Sequence, residues 1–70
     1  MMTFVRNYAV YTVQLRRGGE YVTVVHPVHG DVIDWLNPVR KYGRCCNSYV
    51  QAKANHEKTV QAILDNPGQI

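Results

Sequence analysis

The sequence predicts an α+β domain with the element order ββαα: an N-terminal antiparallel β-hairpin, a short middle helix, and a long C-terminal helix packed on the hairpin. Three observations support this plan. Apolar residues alternate with polar ones up to Leu15, the glycine pair Gly18-Gly19 follows, and a capping signal at Ser48 precedes a helical pattern. The 70 residues are expected to form a single domain, residues 1–70.

Composition and charge narrow the class of protein. Apolar residues make up 46% of the chain and charged residues 19%, a globular balance. No apolar run approaches the roughly 18 residues of a membrane span. The segment from Met1 to Arg6 lacks the pattern of a secretory signal, so we expect a soluble, cytoplasmic protein. The formal charge of +3 comes from scattered basic residues, which is not typical of a dedicated DNA-binding surface.

The hairpin is predicted from its two strands and the glycine pair between them. Val5–Leu15 alternates as a half-buried strand does, and Tyr21–His26 is rich in β-branched and aromatic residues. Gly18-Gly19 suits the central positions of a two-residue turn. That turn sets Val13 opposite Val24, and we expect both to be buried on the side that the C-terminal helix covers.

The middle of the chain is predicted to be irregular. Pro27 is expected to end the second strand, because proline cannot donate a backbone hydrogen bond. Gly30-Asp31 indicates a turn into a short helix that contains Trp35, the largest expected contributor to the core. Pro38 ends that helix, and a second brief turn is expected to stop at Gly43.

The C-terminal helix has the clearest local signals. Ser48 and Gln51 fit a capping box, and the helix is predicted to run from Tyr49 to Asp65, ahead of Pro67-Gly68. Its expected apolar stripe consists of Tyr49, Ala52, His56, Val60 and Ile63, with Leu64 alongside.

Histidines and cysteines raise the question of a metal site or a nucleophile. His26 and His29 are two residues apart, and Cys45 and Cys46 are adjacent. Zinc prefers these residue types, yet adjacent cysteines rarely both reach one tetrahedral ion, and a disulfide between neighbours is strained. We therefore expect free thiols, no metal and no cofactor. No acid pair, phosphate loop or H-E-x-x-H pattern occurs, so the chain is not expected to be an enzyme.

The second side of the hairpin is the predicted interaction surface. It combines apolar and basic residues, and a lone two-stranded ribbon has two open edges that pair readily with other chains. Aromatic and arginine side chains are frequent interface anchors. The predicted partner-binding residues are Tyr8, Val10, Arg16, Arg17 and Tyr21. A homodimer through an open hairpin edge is a related alternative.

Nucleic acid is the alternative partner. A two-stranded ribbon with Arg16 and Arg17 at its tip has the shape of an element that enters a major groove. Aromatic rings beside cations are also typical of single-strand binding, and Tyr8 and Tyr21 partly fit that description.

The order of Tyr8–Leu15, Gly18-Gly19, Tyr21–His26 and the Tyr49–Asp65 helix resembles small phage-encoded proteins that take over host machinery. Members of that class bind RNA polymerase or CRISPR complexes by surface contact. The resemblance is one of size and plan, without a shared motif, so it implies no site residue. It implies a module that inhibits or redirects a host protein or protein–nucleic acid complex in the host cytoplasm. The mildly basic surface of mixed charge favours a regulator of bacterial RNA polymerase.

Overall fold

The structure is a computed structural model that describes residues 1–46 and 48–66, with side chains described for residues 1–39 and 48–66. The fold is α+β, with a curled antiparallel sheet followed by one C-terminal helix. Its elements are β1 (Met2–Val5), β2 (Tyr8–Gln14), β3 (Tyr21–His29), β4 (Val32–Ile33), β5 (Arg40–Cys46) and α1 (Tyr49–Asp65). No helix among the described residues is long and apolar enough to cross a membrane.

The predicted hairpin is the centre of a larger sheet. β1 pairs with the outer edge of β2, while β4 and β5 both pair with the outer edge of β3. Both hairpin edges that we expected to be open are therefore covered. The predicted first strand is interrupted at Arg6, whose φ of 52° turns the chain between β1 and β2.

Pro27 lies inside β3, so the prediction that it ends the strand is wrong. The pairing of β3 with β5 ends at Val25, and its pairing with β4 begins at Val28. Pro27 falls between these two partners, where a missing N–H breaks no ladder. Its carbonyl oxygen still accepts a hydrogen bond of 2.9 Å from the Asp34 amide.

The turn between β2 and β3 is longer than predicted. The Leu15 amide donates to the Glu20 carbonyl at 2.9 Å and the Gly19 amide to the Arg16 carbonyl at 2.7 Å, so the loop contains residues 16–19. Gly18, with a φ of 72°, occupies the position in this turn that favours glycine. Val13 consequently pairs with Val22 and not with Val24. This two-residue slip leaves every side chain on its predicted side of the ribbon.

Nuclear Overhauser effects between α-protons will check this register. Thr12 pairs with Thr23 and Val10 with Val25, and both are non-hydrogen-bonded pairs, whose Cα atoms are only about 4.5 Å apart. We expect strong α-proton cross-peaks for both pairs. A cross-peak between Thr12 and Val25 in place of these two would mean that the predicted two-residue turn is correct.

α1 covers the side of the hairpin opposite to the one we predicted. Val10 and Val25 are completely buried beneath it and form the core with Val5 and Ile63. Val13 and Val24, which we expected in the core, lie on the other side of the sheet and are only half-buried. The bounds of α1 and its N-cap are confirmed, since Ser48 accepts a hydrogen bond from the Gln51 amide.

Candidate interaction face

The sheet surface that faces away from α1 is the candidate site, and we call it the open face. Antiparallel partners share a side of the sheet and side chains alternate along each strand. The register therefore assigns a single set of side chains to this surface. Its apolar members are Met2, Phe4, Ala9, Tyr11, Val13, Leu15, Val22 and Val24, of which Ala9 is completely buried.

Some apolar side chains of the open face are largely exposed, while Tyr11, Val13, Val22 and Val24 are half-buried. Phe4 is 63% exposed and Leu15 is 64% exposed, and Trp35, which lies over one end of the face, is 51% exposed. Since an aromatic side chain presents about 200 Å², Phe4 and Trp35 alone leave on the order of 200 Å² of ring surface in water. Contiguous apolar surface of a few hundred Å² commonly marks an interaction site.

Trp35 is held against the open face by two ring contacts. Its ring packs edge-on against His26, with 4.9 Å between the ring centroids, and against Tyr11 at 5.8 Å. The predicted short helix is wrong: the chain makes a tight turn at Gly30-Asp31, forms β4, and then turns at residues 34–37. The expectation that Trp35 is a major core residue is also wrong, because half of its surface is exposed.

Asp34 holds the turn that presents Trp35. One carboxylate oxygen accepts from the Leu36 amide at 3.2 Å, and the other accepts from the Asn37 side chain at 3.1 Å. The hydrogen bond from Asn37 is the main cause that lowers the pKa of Asp34, so this carboxylate is ionised at neutral pH. The turn is thus organised before any partner arrives, which reduces the ordering cost of binding.

The two ends of the open face carry opposite charges. The loop between β2 and β3 exposes Arg16 and Arg17 at one end, where the single acid Glu20 is also exposed. The hairpin between β3 and β4 lies at the other end, where Asp31 is exposed and Asp34 is ionised. A complementary partner surface would be apolar in its centre, acidic at the arginine end and basic at the aspartate end.

The five predicted partner-binding residues do not form one surface. Val10 is completely buried under α1, and Tyr8 packs against the same core. The ring of Tyr21 contacts that of Tyr49 on α1, with 6.4 Å between the centroids. Only Arg16 and Arg17 are exposed, and they lie at the end of the open face.

The two histidines considered as metal ligands both lie beside Asp34. His26 is buried beneath Trp35 with its Nδ1 3.2 Å from the Asp34 carbonyl oxygen, while His29 lies 4.0 Å from the Asp34 carboxylate. Among the residues whose side chains are described, no group of three histidine, cysteine or acidic residues is placed to hold a metal ion. The side chains of Cys45 and Cys46 lie outside the described residues, so the prediction of free thiols stays a prediction.

A buried polar chain that the sequence analysis missed joins α1 to the sheet. His56 contacts Thr12 through Nδ1 at 2.7 Å and Thr3 through Nε2 at 2.9 Å, and the Thr12 hydroxyl contacts that of Thr23 at 2.7 Å. A neutral imidazole donates from one nitrogen and accepts at the other, and hydroxyls do both, so every member is satisfied in either direction along the chain. This explains why α1 covers the side that carries the threonines.

His56 makes stability depend on pH. Burial is the main cause that lowers its pKa from the ordinary value of 6.5, and the positive N-terminal amine adds to the effect, while Glu57 opposes it. As pH falls through 6.5, His56 becomes protonated in the unfolded chain but stays neutral in the folded chain. The free energy of unfolding therefore falls, until the pH passes below the folded-state pKa of His56. Urea unfolding across this range is expected to show this loss, and His56→Gln is expected to remove it. A pH dependence that His56→Gln leaves unchanged would contradict the assignment.

Comparison of the chain with protein-family models, with curated proteins and with solved structures gives no match.

Proposed function

We propose that this chain is a protein-binding module whose partner packs on the open face, with Trp35 as the main anchor. One observation carries the proposal: the more apolar side of the sheet points away from α1, and Phe4 and Leu15 on that side, with Trp35 above it, stay exposed. A domain of this size needs every apolar contact for its own core. Apolar surface held outward by an organised turn is therefore better explained by a partner than by folding alone.

The chemistry of the face supports a protein partner. The centre is apolar and the ends carry Arg16 and Arg17 on one side and Asp31 and Asp34 on the other. This arrangement fits a protein surface with an apolar centre between an acidic and a basic group. A nucleic acid would meet the two carboxylates with its own negative charge. That the partner belongs to a larger bacterial machine, such as RNA polymerase, stays a prediction from the class resemblance.

Nucleic acid remains the second candidate because of one observation. Exposed Phe4 and Trp35 rings share a sheet surface with an arginine-bearing loop, and rings beside cations are the usual platform for single strands. Binding of that kind weakens steeply as salt concentration rises, and a nuclease destroys it.

Affinity capture from a bacterial lysate, run in parallel with and without nuclease treatment, tests the proposal. The bait proteins are the wild-type chain, the double variant Phe4→Ser/Trp35→Ser, and the control Val50→Ser, which removes an exposed apolar side chain from α1 instead. We expect the wild-type and control baits to capture the same protein and the double variant to lose it. Equal capture by all three baits would contradict the proposal, and a partner lost on nuclease treatment would favour nucleic acid.

A further inference from the structure

β1 forms one edge of the described sheet, and the direction of its outer backbone groups follows from the ladder. The Met1 amine donates to the Thr12 carbonyl at 3.0 Å, and the Thr12 amide donates to the Met1 carbonyl at 2.9 Å. Hydrogen-bonded pairs recur at every second residue of an antiparallel ladder. The backbone groups of Thr3 therefore point toward β2, while those of Met2 and Phe4 point outward from the sheet.

This edge lacks the features that usually prevent pairing. Natural edge strands carry charged residues, proline or a bulge that discourages the approach of another strand. The four residues of β1, Met-Thr-Phe-Val, include none of these residue types, and their register with β2 is continuous. The edge is thus a competent template for one more antiparallel strand.

Opposite charges of α1 lie beside this edge. A shallow pocket of about 270 Å³ between β1 and α1 is lined by Met1, Met2, Thr3, Lys53, His56 and Glu57. Lys53 and Glu57 are one helical turn apart and exposed. α1 runs in the same direction as β1, because His56 contacts Thr3 while the Leu64 carbonyl accepts from Arg6 at 3.1 Å, further along the chain.

We propose that two copies of this chain pair through β1, antiparallel, about a two-fold axis at Thr3. Met2 then exchanges backbone hydrogen bonds with Phe4 of the second copy, and Phe4 with Met2 of the second copy. The axis also reverses α1, which brings Lys53 toward Glu57 of the second copy and Glu57 toward its Lys53. Each copy thus places a lysine beside a glutamate of the other copy, and this charge complementarity favours a second copy over an unrelated strand.

The dimer uses the backbone of β1, and Met2 and Phe4 of that strand keep their side chains on the open face, so pairing has a consequence for a partner there. A two-fold axis perpendicular to the sheet leaves both open faces on the same side of one continuous sheet. The dimer therefore presents two equal binding surfaces, and linked surfaces bind a repeated or dimeric partner far more tightly than a single one does.

Sedimentation equilibrium from micromolar to millimolar concentration tests the dimer. We expect a monomer–dimer equilibrium for the wild-type chain. Lys53→Glu turns two attractive contacts into repulsive ones and should weaken the dimer about tenfold. The double swap Lys53→Glu/Glu57→Lys restores both pairs and should return the dimer constant to within about threefold of wild type.

A backbone change isolates the edge itself. N-methylation of the Phe4 amide in the synthetic chain removes an outward donor, keeps the phenyl ring and spares the ladder to β2. It is expected to weaken the dimer at least tenfold. A wild-type chain that stays monomeric over the whole range overturns the proposal. So does a dimer that neither Lys53→Glu nor N-methyl Phe4 weakens. Both changes leave the side chains of the open face in place, because N-methylation keeps the ring of Phe4 and Lys53 lies on α1.

Discussion

Ile63→Ala is expected to destabilise the domain by about 2–5 kcal/mol, the usual cost of truncating a buried isoleucine. Ile63 is completely buried between α1 and the sheet, where it packs with Val10 and Val25. The net stability of so small a core is only about 3–5 kcal/mol. The variant should therefore lose a large part or all of its stability, which far-ultraviolet circular dichroism with urea titration will measure.

Leu64→Ala is the matched control for this prediction. Leu64 is the next residue on α1 and is 43% exposed, so its truncation is expected to cost about 1 kcal/mol or less. Equal destabilisation by the two variants would mean that α1 does not present Ile63 to the sheet as described.

His56→Leu is expected to cost about 1–3 kcal/mol, because it removes the imidazole from the buried Thr12 hydroxyl and leaves that hydroxyl only Thr23 as a partner. The substitution keeps a side chain of similar bulk, so the loss reports on hydrogen bonding more than on packing. Thr12 is 2% exposed and cannot turn to water as readily as Thr3 does at the sheet edge. Urea unfolding at neutral pH measures the effect, and a variant as stable as wild type would show that the polar chain contributes nothing.

Some of this fold was predictable because its signals are local. Ser48 and the spacing of Ala52, His56 and Ile63 define α1 without reference to the rest of the chain. The side to which each β2 and β3 residue belongs was also predicted correctly, because alternation survives a two-residue slip. The length of the loop was not predicted correctly, since Gly18 serves equally well in a longer turn.

The parts of the fold that were not predicted depend on contacts between residues distant in sequence. β1 and β5 were missed because four residues beside a turn and the segment around Gly43 show no strand pattern of their own, and their pairing partners stabilise them. The covered side was predicted by counting apolar residues, which favoured Val13 and Leu15. The decisive signal was polar: a histidine on the buried stripe of α1 requires hydroxyl partners, and only the other side offers Thr12 and Thr23. Because this apolar side of the sheet was assigned to the core, the candidate site on it was not predicted.

Titration calorimetry with the captured partner tests the central claim, that the open face is the binding surface. The titrated chains are wild type, Trp35→Ser and Val50→Ser, each first shown to be folded. Truncating an aromatic anchor often costs about 2 kcal/mol or more, so Trp35→Ser should weaken binding about thirtyfold or more. Val50→Ser should bind within about twofold of wild type, since Val50 lies on α1, away from the open face. Equal affinity of Trp35→Ser and wild type would contradict the account.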